Sequence, residues 1–149
     1  MVKIKRTNSD DKDFQTLIYE LDDDLQGRYN GGNYHYDINI NIDHLDTVVV
    51  AEINEVSIGC GCFKEIDKDT VEIKRMYVNP HYRYYGVAST VVDELEKWAK
   101  ERNYKQAVLE TGEQQPEAIK FFEKHGFRII ENFEPYVGLE GSICMGKHL

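Results

Sequence analysis

Apolar residues recur along the chain in two rhythms, and the switches between them mark out the elements. VKIKR, near the N-terminus, alternates apolar and charged residues as a half-buried strand does. Ser9, Asp10 and Asp11 then offer capping oxygens ahead of DFQTLIYELDDDLQ, where Phe14, Leu17, Ile18, Leu21 and Leu25 recur at helical spacing. GRYNGGNYHYDINI, rich in Gly, Asn and Tyr, reads as loop with a short helical turn at most. TVVVAEI and SIGCGCFKEI read as two strands joined by a tight turn at Asn54-Glu55. In the next strand, TVEIKRMYV, Val71, Ile73, Arg75 and Tyr77 alternate against Glu72, Lys74, Met76 and Val78. Both sets mix apolar and polar members, so the period alone leaves the buried face open.

From Val87 the period becomes helical again: Val87, Val91, Leu95, Trp98 and Arg102 form a stripe with Ala88, Val92 and Ala99 beside it, and Asn103 supplies a stop. KQAVLETG is a short strand. Pro116 opens the helix PEAIKFFEKHG and Gly126 closes it, before the late strands FRIIENF and SICMGKHL. The predicted order is β-α-β-β-β-α-β-α-β-β, a layered α/β (α+β) fold with a mixed, mostly antiparallel sheet flanked by helices. With 149 residues, no repeat and no linker-like tract, the expectation is one domain spanning 1–149.

Composition narrows the classes. A net charge of −9 works against general nucleic-acid binding, which needs basic surface to displace counterions. No apolar run approaches the roughly 18 residues of a membrane span. The charged N-terminus lacks the apolar stretch of a signal peptide, so cytoplasmic residence is the expectation. Cys60, Cys62 and Cys144 cannot all pair within one chain. The first two share one face of a strand, and their CxC spacing is neither a zinc nor a redox pattern. Packed, reduced thiols and no metal site are expected. DDDLQG, Asp22 to Gly27, imitates a calcium loop only in part, because Gln26 and Asn33 stand where later carboxylates are wanted.

HYRYYGVAST carries the main chemical signal. After the strand ending at Val78, the chain turns through Asn79 and Pro80 and enters a helix near Gly86. A helix start offers unsatisfied N–H groups and the positive end of the dipole, and a glycine there admits close approach of a ligand. Such a turn suits phosphate or pyrophosphate, with Arg83 adding donors. A plain strand-turn-helix whose glycine only relaxes the turn fits the same spacing. There is no GxxxxGK[ST] P-loop, and Gly59-Cys60-Gly61 lies within a strand, with Lys64 in place of a dinucleotide fingerprint's third glycine.

Arg83-Tyr84-Tyr85-Gly86-Val87-Ala88 matches the [QR]xxGx[GA] pattern of the GNAT superfamily of N-acetyltransferases, and LETGEQQPEAIKFFEKHGF, Leu109 to Phe127, resembles that family's late strand-turn-helix with its terminal KxGF. The element order agrees over nearly the whole chain. The resemblance implies an acetyl-CoA-dependent N-acetyltransferase. It implies that backbone amides from Arg83 to Ala88, chiefly those of Tyr85, Gly86, Val87 and Ala88, grip the pyrophosphate. It also implies that the pantetheine arm pairs with Met76, Tyr77 and Val78, in a splay between that strand and the one ending at Leu109.

Acetyl transfer requires a neutral amine, whereas a lysine-like amine has a pKa of about 10.4, so a base must take the proton. By the resemblance Glu72 is the first candidate; a strand carboxylate facing solvent and paired with Lys74 or Arg75 is the competing reading. Glu110 is the second, as a base or as a partner for a cationic acceptor. The resemblance also implies that the amide of Val78, helped by Met76, holds the oxyanion. Aligning KFFEKHGF with the family's xLYExxGF puts Phe122 where a tyrosine often protonates the thiolate, leaving Tyr136, Tyr77 or water to substitute. Phe121 and Phe122 otherwise read as core or pantetheine-packing aromatics, and Gln115 stands where many members carry a pantetheine-binding asparagine. His125 reads as a helix cap or surface residue rather than a base. Asp24, Tyr29, Tyr34 and Tyr36 form a candidate surface for a cationic acceptor, a small-molecule or protein amine; a solvated helix face running into a loop fits them equally. A homodimer is compatible with the sequence. A catalytically weak acyl-CoA-binding module is the alternative to the enzyme, favoured by Phe122.

Overall fold

The computed structural model describes residues 1–29 and 44–149, apart from the side chains of 28 and 29. Its elements run β1 (Lys3–Thr7), α1 (Lys12–Tyr29), β2 (Val48–Ile53), β3 (Val56–Asp67), β4 (Thr70–Val78), α2 (Val87–Glu101), β5 (Gln106–Gly112), α3 (Pro116–Lys124), β6 (Arg128–Ile130) and β7 (Ser142–His148). The order is the expected one. The first helix continues past the predicted end at Gln26, so the Asp22–Gly27 segment is helical and cannot wrap a cation as a loop does. The strand expected at FRIIENF shrinks to RII. Of the three candidate caps, Asp11 serves: its Oδ1 accepts from the amides of Asp13 (2.8 Å) and Phe14 (3.1 Å). Asn54 and Glu55 both take positive φ, as a two-residue hairpin turn demands.

The strands form one sheet in the order β1-β2-β3-β4-β5-β7-β6. Among the described residues only β4 and β5 run parallel. On one face α1 packs Phe14, Leu17 and Leu21 against Val48, Val50, Cys60 and Tyr77. On the other, Val91 and Leu95 of α2 and Phe122 of α3 meet Val49, Ile73 and Val78. The cysteines are free and buried, as expected.

One irregularity shapes the centre. Cys60 pairs with Tyr77 and Cys62 with Lys74, so Gly61 alone stands opposite both Arg75 and Met76. Arg75 has φ 60, well into the left-handed region. A bulge of this kind adds a residue and reverses the in–out alternation. Val71 and Ile73 therefore share the α2 face with Val78, whereas Tyr77 joins the α1 face. That reversal explains why neither alternating set in TVEIKRMYV was purely apolar. Gly61 is required here, because a Cβ would lie 2.5 Å from Met76 Sδ and 3.0 Å from both Leu95 and Val91.

Beyond the bulge the sheet opens. Parallel pairing of β4 with β5 runs only from Thr70↔Gln106 to Ile73↔Leu109, whereas β5 stays paired with β7 as far as Gly112↔Ser142. The last residues of β4 have β3 on one side and a gap on the other.

Candidate active site

The gap opens onto two adjoining hollows. A cleft of about 420 Å³ runs from the turn before α2 into the splay. A chamber of about 120 Å³ adjoins it between β4 and β5. Leu21, Met76, Gln115, Ala118 and Phe122 border both.

At the turn, Asn79 accepts a hydrogen bond from the His81 amide at 2.9 Å, which starts a short 3-10 turn at Pro80–Tyr82. Tyr84 and Gly86 follow with φ 74 and 78. A Cβ at Gly86 would meet nothing within 4 Å, so the turn opens outward rather than into the core. In α2 the first amide to find a helical carbonyl in register is that of Thr90, bonded to Gly86 O at 3.0 Å. Val87, Ala88 and Ser89 precede it, and all three border the cleft. With the helix dipole behind them, their N–H groups suit an anion.

Arg83 has a further role. Its Nε donates to Val78 O at 3.0 Å, tying the turn back to β4 rather than reserving the whole fork for an anion. That bond also reveals the orientation of β4. Asn79 N–H bonds Ile58 of β3 at 2.8 Å, so the preceding Val78 directs its backbone groups away from β3, toward the gap. Met76, Tyr77, Val78, Tyr84, Gly86 and Phe121 all border the cleft with Arg83. Tyr85 is largely exposed. Tyr82, Ser89, Leu21 and Glu117 also border it and were not anticipated. Only Ser89 carried a signal, standing in the first turn of a helix already marked as an anion site.

The chamber is built from side chains. Glu72 is 4% exposed, so the solvent-facing reading fails. Tyr136, from the segment between β6 and β7, donates its hydroxyl to Glu72 Oε2 at 2.7 Å. Lys74 Nζ lies 4.0 Å from the same oxygen, and Arg75 pairs with Asp22. Burial, then the neighbouring Glu72 charge, pushes the Tyr136 hydroxyl well above the usual tyrosine range. Glu110, one strand over, has a buried Oε1 with no hydrogen-bond partner among the described residues. Burial pushes its carboxyl up to about 7, against a smaller opposing effect of the Ser142 hydroxyl.

Phe122 is buried, meeting Phe121 and Phe127 edge-on at 5.0 and 5.4 Å between ring centres. Tyr77, offered in its place as an acid, donates instead to Glu20 at 3.2 Å, and burial and that carboxylate push it up to about 12. His125 caps α3, with Nε2 3.0 Å from Ser89 Oγ. Of the acceptor candidates, Asp24 borders the cleft; Tyr34, Tyr36 and the side chain of Tyr29 lie outside the described residues.

Residues 14–127 match the family model of the Acetyltransferase (GNAT) family. The chain is 36% identical over 94 residues to YsnE of Bacillus subtilis (strain 168), described as an uncharacterised N-acetyltransferase; the match covers 61% of this chain and 62%, under two thirds, of that protein's length. It is 30% identical over 141 residues to the IAA acetyltransferase of Azospirillum brasilense, covering 89% and 88% of the two chains. The solved PaiA N-acetyltransferase of Thermoplasma acidophilum, in complex with coenzyme A, superposes with a TM-score of 0.75 at 20% identity over 100% of this chain and 99% of that one. A helix-starting turn of anion-suited amides beside an opened sheet is thus found in a chain that belongs to the GNAT family of acetyl-CoA-dependent N-acetyltransferases.

Proposed function

We propose that this protein transfers the acetyl group of acetyl-CoA directly to a primary amine of a small molecule or protein, with Glu110 as the base. The observation that carries the reading is the adjacency of the two hollows, which share five lining residues: an anion-suited turn at one end, an ionisable carboxylate at the other, and an opened strand edge between. The residues fit the co-substrate. First-turn amides of Val87, Ala88 and Ser89 take the pyrophosphate, and Phe121, Phe122 and Met76 offer apolar walls to the arm. Val78 presents its backbone to that arm as a strand would.

At the reacting end the acetyl carbonyl gains negative charge during attack, and the amides of Met76 and Val78 are the donors for it. Glu110 accepts a proton from the incoming ammonium. Its raised pKa makes it a better base than an ordinary carboxylate and leaves it largely ionised just above neutrality. Glu72, already accepting from Tyr136, is better suited to holding the acceptor than to taking its proton. The nitrogen–carbon bond forms, the carbon–sulfur bond breaks, and the nitrogen's second proton passes to water. The thiolate, with a pKa of roughly 8.5, departs without a tyrosine at position 122 and takes its proton from water.

The test is a thiol-release assay with acetyl-CoA and a panel of small amines and lysine peptides. Amine-dependent release is expected. Tight coenzyme A binding with no release for any amine would leave a binding module instead.

A further inference from the structure

Two buried thiols that take no part in acetyl transfer lie against the bulge that opens the sheet. Cys60 and Cys62 are wholly buried on the α1 face of β3. Cys60 Sγ lies 3.4 Å from the Arg75 carbonyl oxygen, and Cys62 Sγ 3.3 Å from that of Lys74. These carbonyls belong to the bulged residue and to the one before it. A thiol is a weak donor, yet it must be protonated to donate at all. Burial ensures this, pushing Cys62 up to about 12 and Cys60 well above the ordinary thiol value.

The planar trans peptide turns one fixed contact into another. Within one peptide unit the C=O and N–H point in opposite directions. With the Arg75 carbonyl turned toward Cys60, the Met76 N–H of the same plane is turned away from it. The β3 ladder passes over this unit, pairing Cys60 with Tyr77 and Cys62 with Lys74. Met76 borders both the cleft and the chamber. Rotation of that peptide would point an oxygen where a donor is needed, and left-handed backbone at a non-glycine residue is strained, so the bulge needs holding. Gly61, directly opposite, contributes no side chain to hold it.

We infer that Cys60, seconded by Cys62, is a positioning residue for acetyl transfer: its S–H fixes the Arg75 carbonyl and so aims the Met76 amide at the acetyl oxygen. This rests on the acetyl-transfer reading above. It gives the GCGC stretch a division of labour, with glycines admitting α2 on one face and thiols setting the bulge from the other.

The test uses Cys60→Ser, Cys60→Ala and Cys60→Val in the full chain, assayed with the best amine of the panel. Serine keeps a donor and loses apolar character; valine keeps bulk and loses the donor. The expected kcat is within about two-fold of wild type for Cys60→Ser and lower by about ten-fold for Cys60→Ala and Cys60→Val, with KM for acetyl-CoA unchanged in all three. The reverse order, valine active and serine impaired, reveals a packing role and overturns the inference, as does equal kcat throughout. A second measurement needs no variant: amide NMR of the wild type titrated with an unreactive ketone analogue of acetyl-CoA. A downfield shift of the Met76 amide proton is expected; a shift at Val78 with none at Met76 overturns the inference while leaving the acetyl-transfer reading standing. A wild type inactive on every amine removes both.

Discussion

The two adjoining hollows are made of different material. The turn from Asn79 to Ser89 presents backbone amides from one continuous run of chain. The chamber is lined by side chains from β4, β5 and the β6–β7 segment, with Tyr136 and Glu72 meeting across 64 positions. A backbone site tolerates wide variation in the side chains around it, so its signature is a spacing and a glycine. A side-chain site depends on which residues the fold brings together, and chain-local spacing carries little of that. The cofactor end can therefore be shared across a family while the chamber end adapts to one acceptor.

Substitutions at each end should separate the two. Gly86→Glu carries the largest expected effect: coenzyme A binding by calorimetry falls below detection, through a carboxylate placed beside the pyrophosphate. A Cβ there meets nothing within 4 Å, and the left-handed φ of 78 strains any side chain by on the order of 1 kcal/mol, a cost the fold should survive. Unchanged affinity would show that the backbone end lies elsewhere.

Glu110→Gln comes next, with kcat lower by about 100-fold and KM for acetyl-CoA unaffected. In the wild type the rate should rise with pH through about 7, as the carboxyl ionises, and that limb should vanish in the variant. Stability moves the opposite way. A carboxyl raised from 4.5 to about 7 favours the fold fully below 4.5 and loses that contribution as pH climbs through about 7. Thermal melts should thus show Glu110→Gln more stable than wild type at pH 8 and little different at pH 4. A pH-independent difference would mean that the buried charge is not its origin.

Glu72→Gln should lower kcat by about ten-fold, less than Glu110→Gln; the opposite order would return the role of base to Glu72. Tyr136→Phe removes the donor to a buried carboxylate and should destabilise by about 1–3 kcal/mol in denaturant melts. The smallest effect is expected at Arg83→Ala. A residue that braces Val78 should change coenzyme A affinity only about three- to ten-fold; a loss beyond 100-fold, roughly, would make it a phosphate ligand after all.

The same contrast explains what could be read in advance. The rhythms of TVVVAEI, the α2 stripe from Val87 to Trp98 and the Asn54-Glu55 turn each encode an element locally, and all of these formed. The turn at Gly86 was legible for that reason. The bulge at Arg75 was not, since it arises from pairing against Gly61 on another strand. Its only trace was a strand whose two alternating sets both looked mixed. Glu72 was found by resemblance, but its burial and its bond to Tyr136 follow from which face the bulge leaves it on. Glu110 was found as a carboxylate at a strand end; its bare oxygen is a property of packing.

The parted strands have a mechanical consequence as well. Four residue pairs, Thr70↔Gln106 to Ile73↔Leu109, join β1–β4 to β5–β7 across the sheet, and past them the two halves share no ladder among the described residues. A pantetheine arm lying in that seam works as a strut between two leaves. Its binding free energy then counts toward cohesion of the whole sheet, so the melting temperature should climb with coenzyme A concentration. Departure of the product would loosen the protein at the line where the next acetyl-CoA must enter.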